Sequence, residues 1–349
     1  MALTQVETSG LSGSGASSNS TSGNVFSQTG PFKNRIINGD MRIDQRNAGA
    51  SVNLSTVVYP VDRWAAFEDT DGSMTAQRSS VAPSGFTNSV LVTTTSADTS
   101  LSAAQYARIW QNIEGLNLSD LAWGTASAKS ITVGFWVRSS LTGTFGGSVA
   151  NSAFDRSYPF TYSISAADTW EYKTATIPGD TSGTWLTTNG TGIQLNFGLG
   201  VGSTYSGTAG TWAGTGYVSA TGATSVIGTN GATFYITGVQ LEAGTSATQF
   251  ERRSYGHELA LCQRYYQKYT SVNGAIFRGH SSNTGATYYW MPFAVVMRST
   301  PSMSVGSPTY VNASGAAWAN IGQDGAEINL TVSSGGGYAF IPWTASIEL

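Results

Sequence analysis

Apolar residues recur at every second position in short runs, and this constrains the chain more than any other feature. In Ser130–Arg138, Ile131, Val133, Phe135 and Val137 share one parity, while Trp136 and Arg138 take the other. Period two is the repeat of an extended strand with one buried face. Ile193, Leu195, Phe197 and Leu199 repeat the pattern. In Thr233–Glu242, Phe234 and Ile236 share a parity, then Val239 and Leu241 switch to the other. Gly238 stands at the switch, which predicts a bulge there. Trp170–Ile177 reads as another strand, closed by Pro178-Gly179-Asp180. From Arg35 to Glu251 such runs are separated by Gly, Asn, Asp and Ser turns, with no alternating helices. That pattern predicts a mainly β fold, an antiparallel sandwich of jelly-roll type.

Composition narrows the function classes. Only 11% of the 349 residues are charged, against roughly 25% in an ordinary soluble domain. Aromatics at 11%, with 10 Trp, exclude a globally disordered chain. A net charge of −3 with no basic stripe argues against nucleic acid as a partner. No run of ~18 apolar residues exists, so no membrane insertion is expected. Met1–Gly15 carries neither a basic nor an apolar signal region, so no secretory leader is expected. The lone Cys262 predicts no internal disulfide. With only His257 and His280 beside it, zinc and other cofactors are not expected.

Four regions follow. Residues 1–35 read as an extended attachment arm, either flexible or ordered by packing against another chain: Thr8 to Phe32 holds no charge and few large side chains. Residues 36–253 form the sandwich. Residues 254–270 form a linking helix, on which Tyr255, Leu259, Cys262 and Tyr266 share a face. Ser254 is its cap, and Arg264 and Lys268 suit its C-terminal end. Residues 271–349 form a smaller β domain. There Phe293, Val295 and Met297 alternate, as do Ile328, Leu330 and Val332, and Tyr338–Leu349 reads as a buried terminal strand.

Two segments carry a resemblance. One is Asn38-Gly39-Asp40-Met41-Arg42-Ile43-Asp44-Gln45-Arg46-Asn47. The other is Phe234-Tyr235-Ile236-Thr237-Gly238-Val239-Gln240-Leu241-Glu242-Ala243-Gly244, continuing through Ala247-Thr248-Gln249-Phe250-Glu251-Arg252-Arg253. Together, and with the opening Met1-Ala2-Leu3-Thr4-Gln5-Val6, they resemble bacteriophage and prophage tail-fibre-like virion proteins. The resemblance implies a jelly roll similar to carbohydrate-binding modules. It also implies a virion location and a homotrimer; with assembly in the host cytoplasm, the arm of residues 1–35 is then expected to dock on other virion proteins. The implied role is a tail fibre or spike that binds a host surface polysaccharide. Head decorations and tail adaptors with a purely structural role carry such modules too. A short N-terminal region without a repetitive shaft suits a short spike, an adaptor-mounted fibre or a capsid-attached protein.

The candidate residues follow from chemistry. Sugars stack on aromatic faces through their C–H edges, so Trp185, Tyr205, Trp212 and Tyr217, in a stretch without charge from Thr181 to Leu241, are candidates for glycan or subunit contact. Trp110, Trp136 and Trp170 lie on strand-like segments and are expected in the core. Glu251, Arg252, Arg253, Glu258 and Arg264 form the densest charge, a candidate for ion pairing between subunits. Asp69 and Asp71 beside Gly72 offer oxygen ligands to calcium, with a solvated acidic turn the plainer reading. No catalysis is expected: glycoside hydrolysis needs two converging carboxylates, and the spacing of Asp155, Glu171 and Asp180 predicts no convergence. Cys262 reads as a buried, inert thiol, and both histidines as structural.

Overall fold

The period-two runs become the inner strands of two facing sheets. A computed structural model describes residues 32–270, 275–280, 284–333 and 335–349. Most of the predicted arm, residues 1–31, and the start of the predicted C-terminal domain, 271–274, lie outside the described residues. The strands begin with β1 (Val52–Asn53), β2 (Val58–Val61), β3 (Trp64–Asp69), β4 (Ser73–Ser79) and β5 (Ser89–Ser96). They continue with β6 (Tyr106–Glu114), β7 (Ile131–Ser139), β8 (Gly143–Ala150), β9 (Ser157–Ile164) and β10 (Glu171–Ile177). Then come β11 (Thr191–Val201), β12 (Ser206–Gly207), β13 (Ser219–Ala220) and β14 (Thr233–Ala243). The first sheet runs β1-β4-β5-β14-β7-β10 and the second β2-β3-β6-β11-β8-β9. The chain therefore passes repeatedly from one sheet to the other, the winding of a jelly-roll sandwich. All pairings in both sheets are antiparallel.

The core lies between the sheets. Val133, Phe135 and Val137 of β7 face Leu195, Phe197 and Leu199 of β11 in one continuous cluster. Phe135 meets Phe197 edge-on at 5.0 Å, and Trp64 lies 6.3 Å from Phe197. Each such side chain, fully removed from water, contributes about 1.5–3 kcal/mol. The predicted bulge is present: the β14–β7 register shifts between Thr237 and Gln240, and Gly238 sits at φ +61°.

The linking helix is shorter than the sequence predicts. It spans Tyr255–Gln263 as α1, with the Ser254 side chain accepting from the His257 N–H. Cys262 is buried, but Tyr255 is largely exposed. Tyr266–Tyr269 is a strand, β15, paired with Trp343–Ser346. Aromatic, strand-favouring side chains here answer to a partner some eighty positions on, which outweighs helical spacing. The C-terminal β region thus starts at Tyr266 rather than 271. It adds β16 (Ala275–Gly279), β17 (Gly285–Pro292), β18 (Ser302–Val305), β19 (Thr309–Val311) and β20 (Ala313–Ala319). It ends with β21 (Gly325–Val332), β22 (Gly337–Ile341) and β23 (Trp343–Ser346), in three three-stranded sheets. Ile328, Leu330 and Val332 are buried as their alternation predicts. Phe293–Met297 is not a strand, although Phe293 and Met297 are buried. The terminal strand is split at Pro342, which lacks the N–H a continuous ladder needs.

Sandwich and C-terminal sheets belong to one unit, Phe32–Leu349. Charged side chains join them. Arg264 donates to both oxygens of Glu114 at 3.1 and 2.7 Å, and the Tyr265 hydroxyl donates to Glu114 at 2.7 Å. The Glu348 carboxylate lies between Arg63, itself buried, and Arg46 at 2.7 Å.

Candidate functional site

The outward parity of β7 builds a cleft. Trp136 stands on the face opposite Phe135, so it leaves the core to which strand position alone assigned it. Tyr172 of β10 is its register partner, and the two rings lie 5.5 Å apart at 53°. Gly134 follows on the same outward face. A Cβ there would run into the Tyr172 hydroxyl, so the missing side chain lets the tyrosine lie over the strand. The Gly238 bulge closes one end: a Cβ at Gly238 would meet Phe86 at 2.7 Å and Trp136 at 3.1 Å. Phe86 and Phe250 pack edge-to-face at 5.2 Å. The Arg252 guanidinium lies 4.7 Å over Phe86 and donates to the Gly85 carbonyl at 2.6 Å.

The result is an open cleft of about 670 Å³, with Ser84, Thr248 and Gln249 on its rim. Its floor is aromatic and still wet: Tyr172 is 43% exposed. Burial, with Glu242 nearby, pushes the Tyr172 hydroxyl above its usual value, so it stays a neutral donor. Apolar faces beside hydroxyl, amide and guanidinium donors suit a ligand that is itself apolar on its C–H faces and polar at its edges.

The four aromatics picked from sequence lie elsewhere. Trp185 and Trp212 pack with Trp123 in an edge-to-face triad, at 4.6, 5.4 and 5.6 Å. The Trp185 ring N–H donates to the Ser182 carbonyl at 3.1 Å, and that of Trp212 to the Pro178 carbonyl at 3.1 Å. Tyr205 packs on Tyr106 at 5.0 Å, on the outer face of the second sheet. Tyr217 covers Gly207, and its carbonyl accepts from Ser148. Trp110 is buried on that outer face, and Trp170 is half-buried 6.0 Å from Tyr235.

Four of the five clustered charges pair within the chain. Glu251 accepts from the Lys33 and Asn34 N–H groups at 3.1 and 2.6 Å. Arg253 reaches Glu258 at 3.4 Å, and Arg264 holds Glu114. Burial raises the Glu258 carboxyl above its ordinary value despite Arg253. Arg252 is the member at the cleft. Asp69 and Asp71 are exposed, and the Asp71 N–H donates to Asp98. Among the described residues, no group of three His, Cys, Asp or Glu side chains is placed to hold a metal ion. Asp180 is paired side-on with Arg156 at 2.8 and 2.6 Å, and Glu171 with Lys173 at 2.6 Å. Burial pushes the Cys262 thiol up, away from the reactive thiolate.

A scan against protein-family models found no match, and neither did a search of curated proteins. Comparison with solved structures finds carbohydrate-binding modules and a phage tailspike domain. The chain is similar to the family 11 carbohydrate-binding module from Clostridium thermocellum, solved with a β-1,3-1,4-mixed-linked tetrasaccharide. That match has 11% identity and a TM-score of 0.30, covering 58% of this chain and 100% of that one. It is also similar to the N-terminal cellulose-binding domain of Cellulomonas fimi β-1,4-glucanase C, at 15% identity and TM-score 0.25, over 53% and 90% of the two chains. The enzymatically active domain of bacteriophage CBA120 tailspike protein 4 matches at 11% identity and TM-score 0.29, over 52% of this chain. That match spans only 19% of the tailspike chain's length. Superpositions this loose leave the two-sheet architecture to stand on the chain's own strand pairing.

Proposed function

We propose that this chain is a non-catalytic phage virion protein that attaches to a host surface glycan through the Trp136–Tyr172 cleft. The observation that carries the reading is the pair of outward aromatic rings on adjacent strands, ringed by Arg252, Gln249 and Thr248. A wet aromatic floor costs stability in a protein that has no ligand for it, and sugar rings are the ligand whose C–H faces match it. In this reading the protein is a trimeric fibre or spike, docked on other virion proteins through residues 1–35. Weak single sites then gain from linked rebinding. The carboxylates Asp180 and Glu171, each held by a cation, support binding without hydrolysis.

The test is adsorption of the purified protein to host cells and to their extracted surface polysaccharide. Trp136→Ala and Tyr172→Ala should each weaken binding about tenfold, the worth of one stacking face of ~1–2 kcal/mol. Circular dichroism and oligomer mass should not change. Trp185→Ala should lower thermal stability through the Trp123 triad rather than binding as such. Undiminished adsorption by both cleft variants would refute the site, and release of new reducing ends from the polysaccharide would refute the non-catalytic reading.

A further inference from the structure

We propose that Arg108, on the outer face of the second sheet, anchors the carboxylate of an acidic sugar. The site rests on the glycan reading of the chain but is separate from the Trp136 cleft on the first sheet.

Arg108 lies on β6 with its side chain on the face away from the core. Its guanidinium stacks 4.1 Å from Trp110, with Tyr106 at 5.5 Å and Phe154 at 5.8 Å. No carboxylate of the described residues pairs with it. Its Nη1 donates to the neutral Gln194 Oε1 and Asn196 Oδ1, both at 2.7 Å. Its Nε is buried without a partner. Burial pushes the guanidinium down to about 10, with Tyr106 and Tyr205 only partly opposing. A cation taken from water normally gains a counter-charge or loses stability. Here that partner is missing.

The amide oxygens are held in place for this job. The Gln194 amide N–H donates to Asn112 at 2.8 Å, and Asn112 in turn to the Leu349 backbone oxygen at 2.7 Å. The Asn196 amide N–H donates to Ser148 at 3.2 Å, whose hydroxyl donates to the Tyr217 carbonyl at 2.6 Å. With their N–H groups engaged, both amides can present only oxygen to Nη1. One edge of the guanidinium is thus saturated by neutral acceptors, and the charge is left for something else. Phe67, Tyr106 and Tyr205, in contact at 5.7 and 5.0 Å, form a half-exposed aromatic wall beside it. A carboxylate on an otherwise neutral ring satisfies both features: it bonds the cation while the ring lies on the wall.

The experiment follows the side-chain Nε–Hε resonances of the full chain by NMR, with Arg108→Gln identifying the Arg108 signal. Glucuronate, galacturonate and N-acetylneuraminate are titrated against glucose. At least one acid should shift the Arg108 signal where glucose does not, and the shift should weaken at high salt. Gln194→Glu places a carboxylate on Nη1 from inside the protein. It should abolish the response to acids, at a cost in melting temperature because a carboxylate cannot donate to Asn112 as the amide does, and it carries the test if Arg108→Gln fails to fold. No acid shifting the signal, or an equal response to glucose, would overturn the proposal. Loss of neutral-glycan binding in Trp136→Ala with the Arg108 response intact would leave this site standing alone. The converse would leave only the cleft.

Discussion

At the scale of single residues, the cleft depends on positions that carry no side chain. Gly238 holds φ +61°, and a Cβ there would press on Phe86 at 2.7 Å. A left-handed conformation costs a non-glycine residue roughly 1–2 kcal/mol before any clash is counted. Gly238→Ala should therefore destabilise the protein by about 2 kcal/mol or more and also weaken glycan adsorption. Trp136→Ala, whose ring is half-exposed, should weaken adsorption with a smaller loss of stability. Denaturant unfolding and adsorption measured on both variants separate the two effects. Equal stability of Gly238→Ala and the native protein would show that the bulge tolerates a side chain. Parity already placed Trp136 opposite Phe135 in the sequence, and the register switch already marked Gly238. Which outward aromatic lines a cleft was not legible, because Phe86, Phe250 and Arg252 come from loops distant in sequence. Trp185 and Trp212 sit in a polar, uncharged stretch that resembles a binding loop. Their contact with Trp123, which places both rings in one partly exposed triad, is not legible from that stretch.

At the scale of elements, the joint between sandwich and C-terminal sheets combines an apolar cluster of Ile37, Ile43, Cys262 and Tyr265 with ion pairs. Burial raises the Glu114 carboxyl, but hydrogen bonds from Arg264 and Tyr265 outweigh it and leave the group below its ordinary value. A lowered carboxylate contributes stability that is fully present above the unfolded pKa, about 4.3. That contribution disappears as pH falls through the lower folded value. Thermal melting of the native protein should accordingly fall as pH drops from 5 toward 3. Glu114→Gln should melt below the native protein at pH 7, and the gap should close in acid. A gap independent of pH would mean that the ion pair is not what Glu114 contributes. Sequence charge density pointed to this region through Arg264, but not to Glu114, 150 positions away. The same distance hid β15. Helical spacing is a local signal, and the pairing of Tyr266–Tyr269 with Trp343–Ser346 is not.

At the scale of the whole molecule, a low charge density leaves surfaces that are neutral and in places apolar. Tyr288 and Trp290 point the same way on β17 and are 58% and 52% exposed. Large apolar side chains in the open are a liability for a free monomer and an asset for an assembled one. In the proposed virion protein, closed symmetry covers such faces and the sheet edges with them. The period-two pattern made two stacked antiparallel sheets legible. It could not give the order β1-β4-β5-β14-β7-β10, because loop-closing pairs such as β5 with β14 are set by packing rather than by neighbours in sequence. Nor could it tell a fibre, an adaptor and a decoration apart for the virion protein proposed above. Immunogold microscopy of intact particles, with antibody raised against the whole protein, decides among them. Label at the tail tip or fibre ends is the expected outcome, together with a native mass of three chains. Label scattered over the head would replace attachment by decoration. The wet Trp136–Tyr172 floor would then have to be covered by a neighbouring capsid protein, and cleft variants would lower capsid occupancy instead of adsorption.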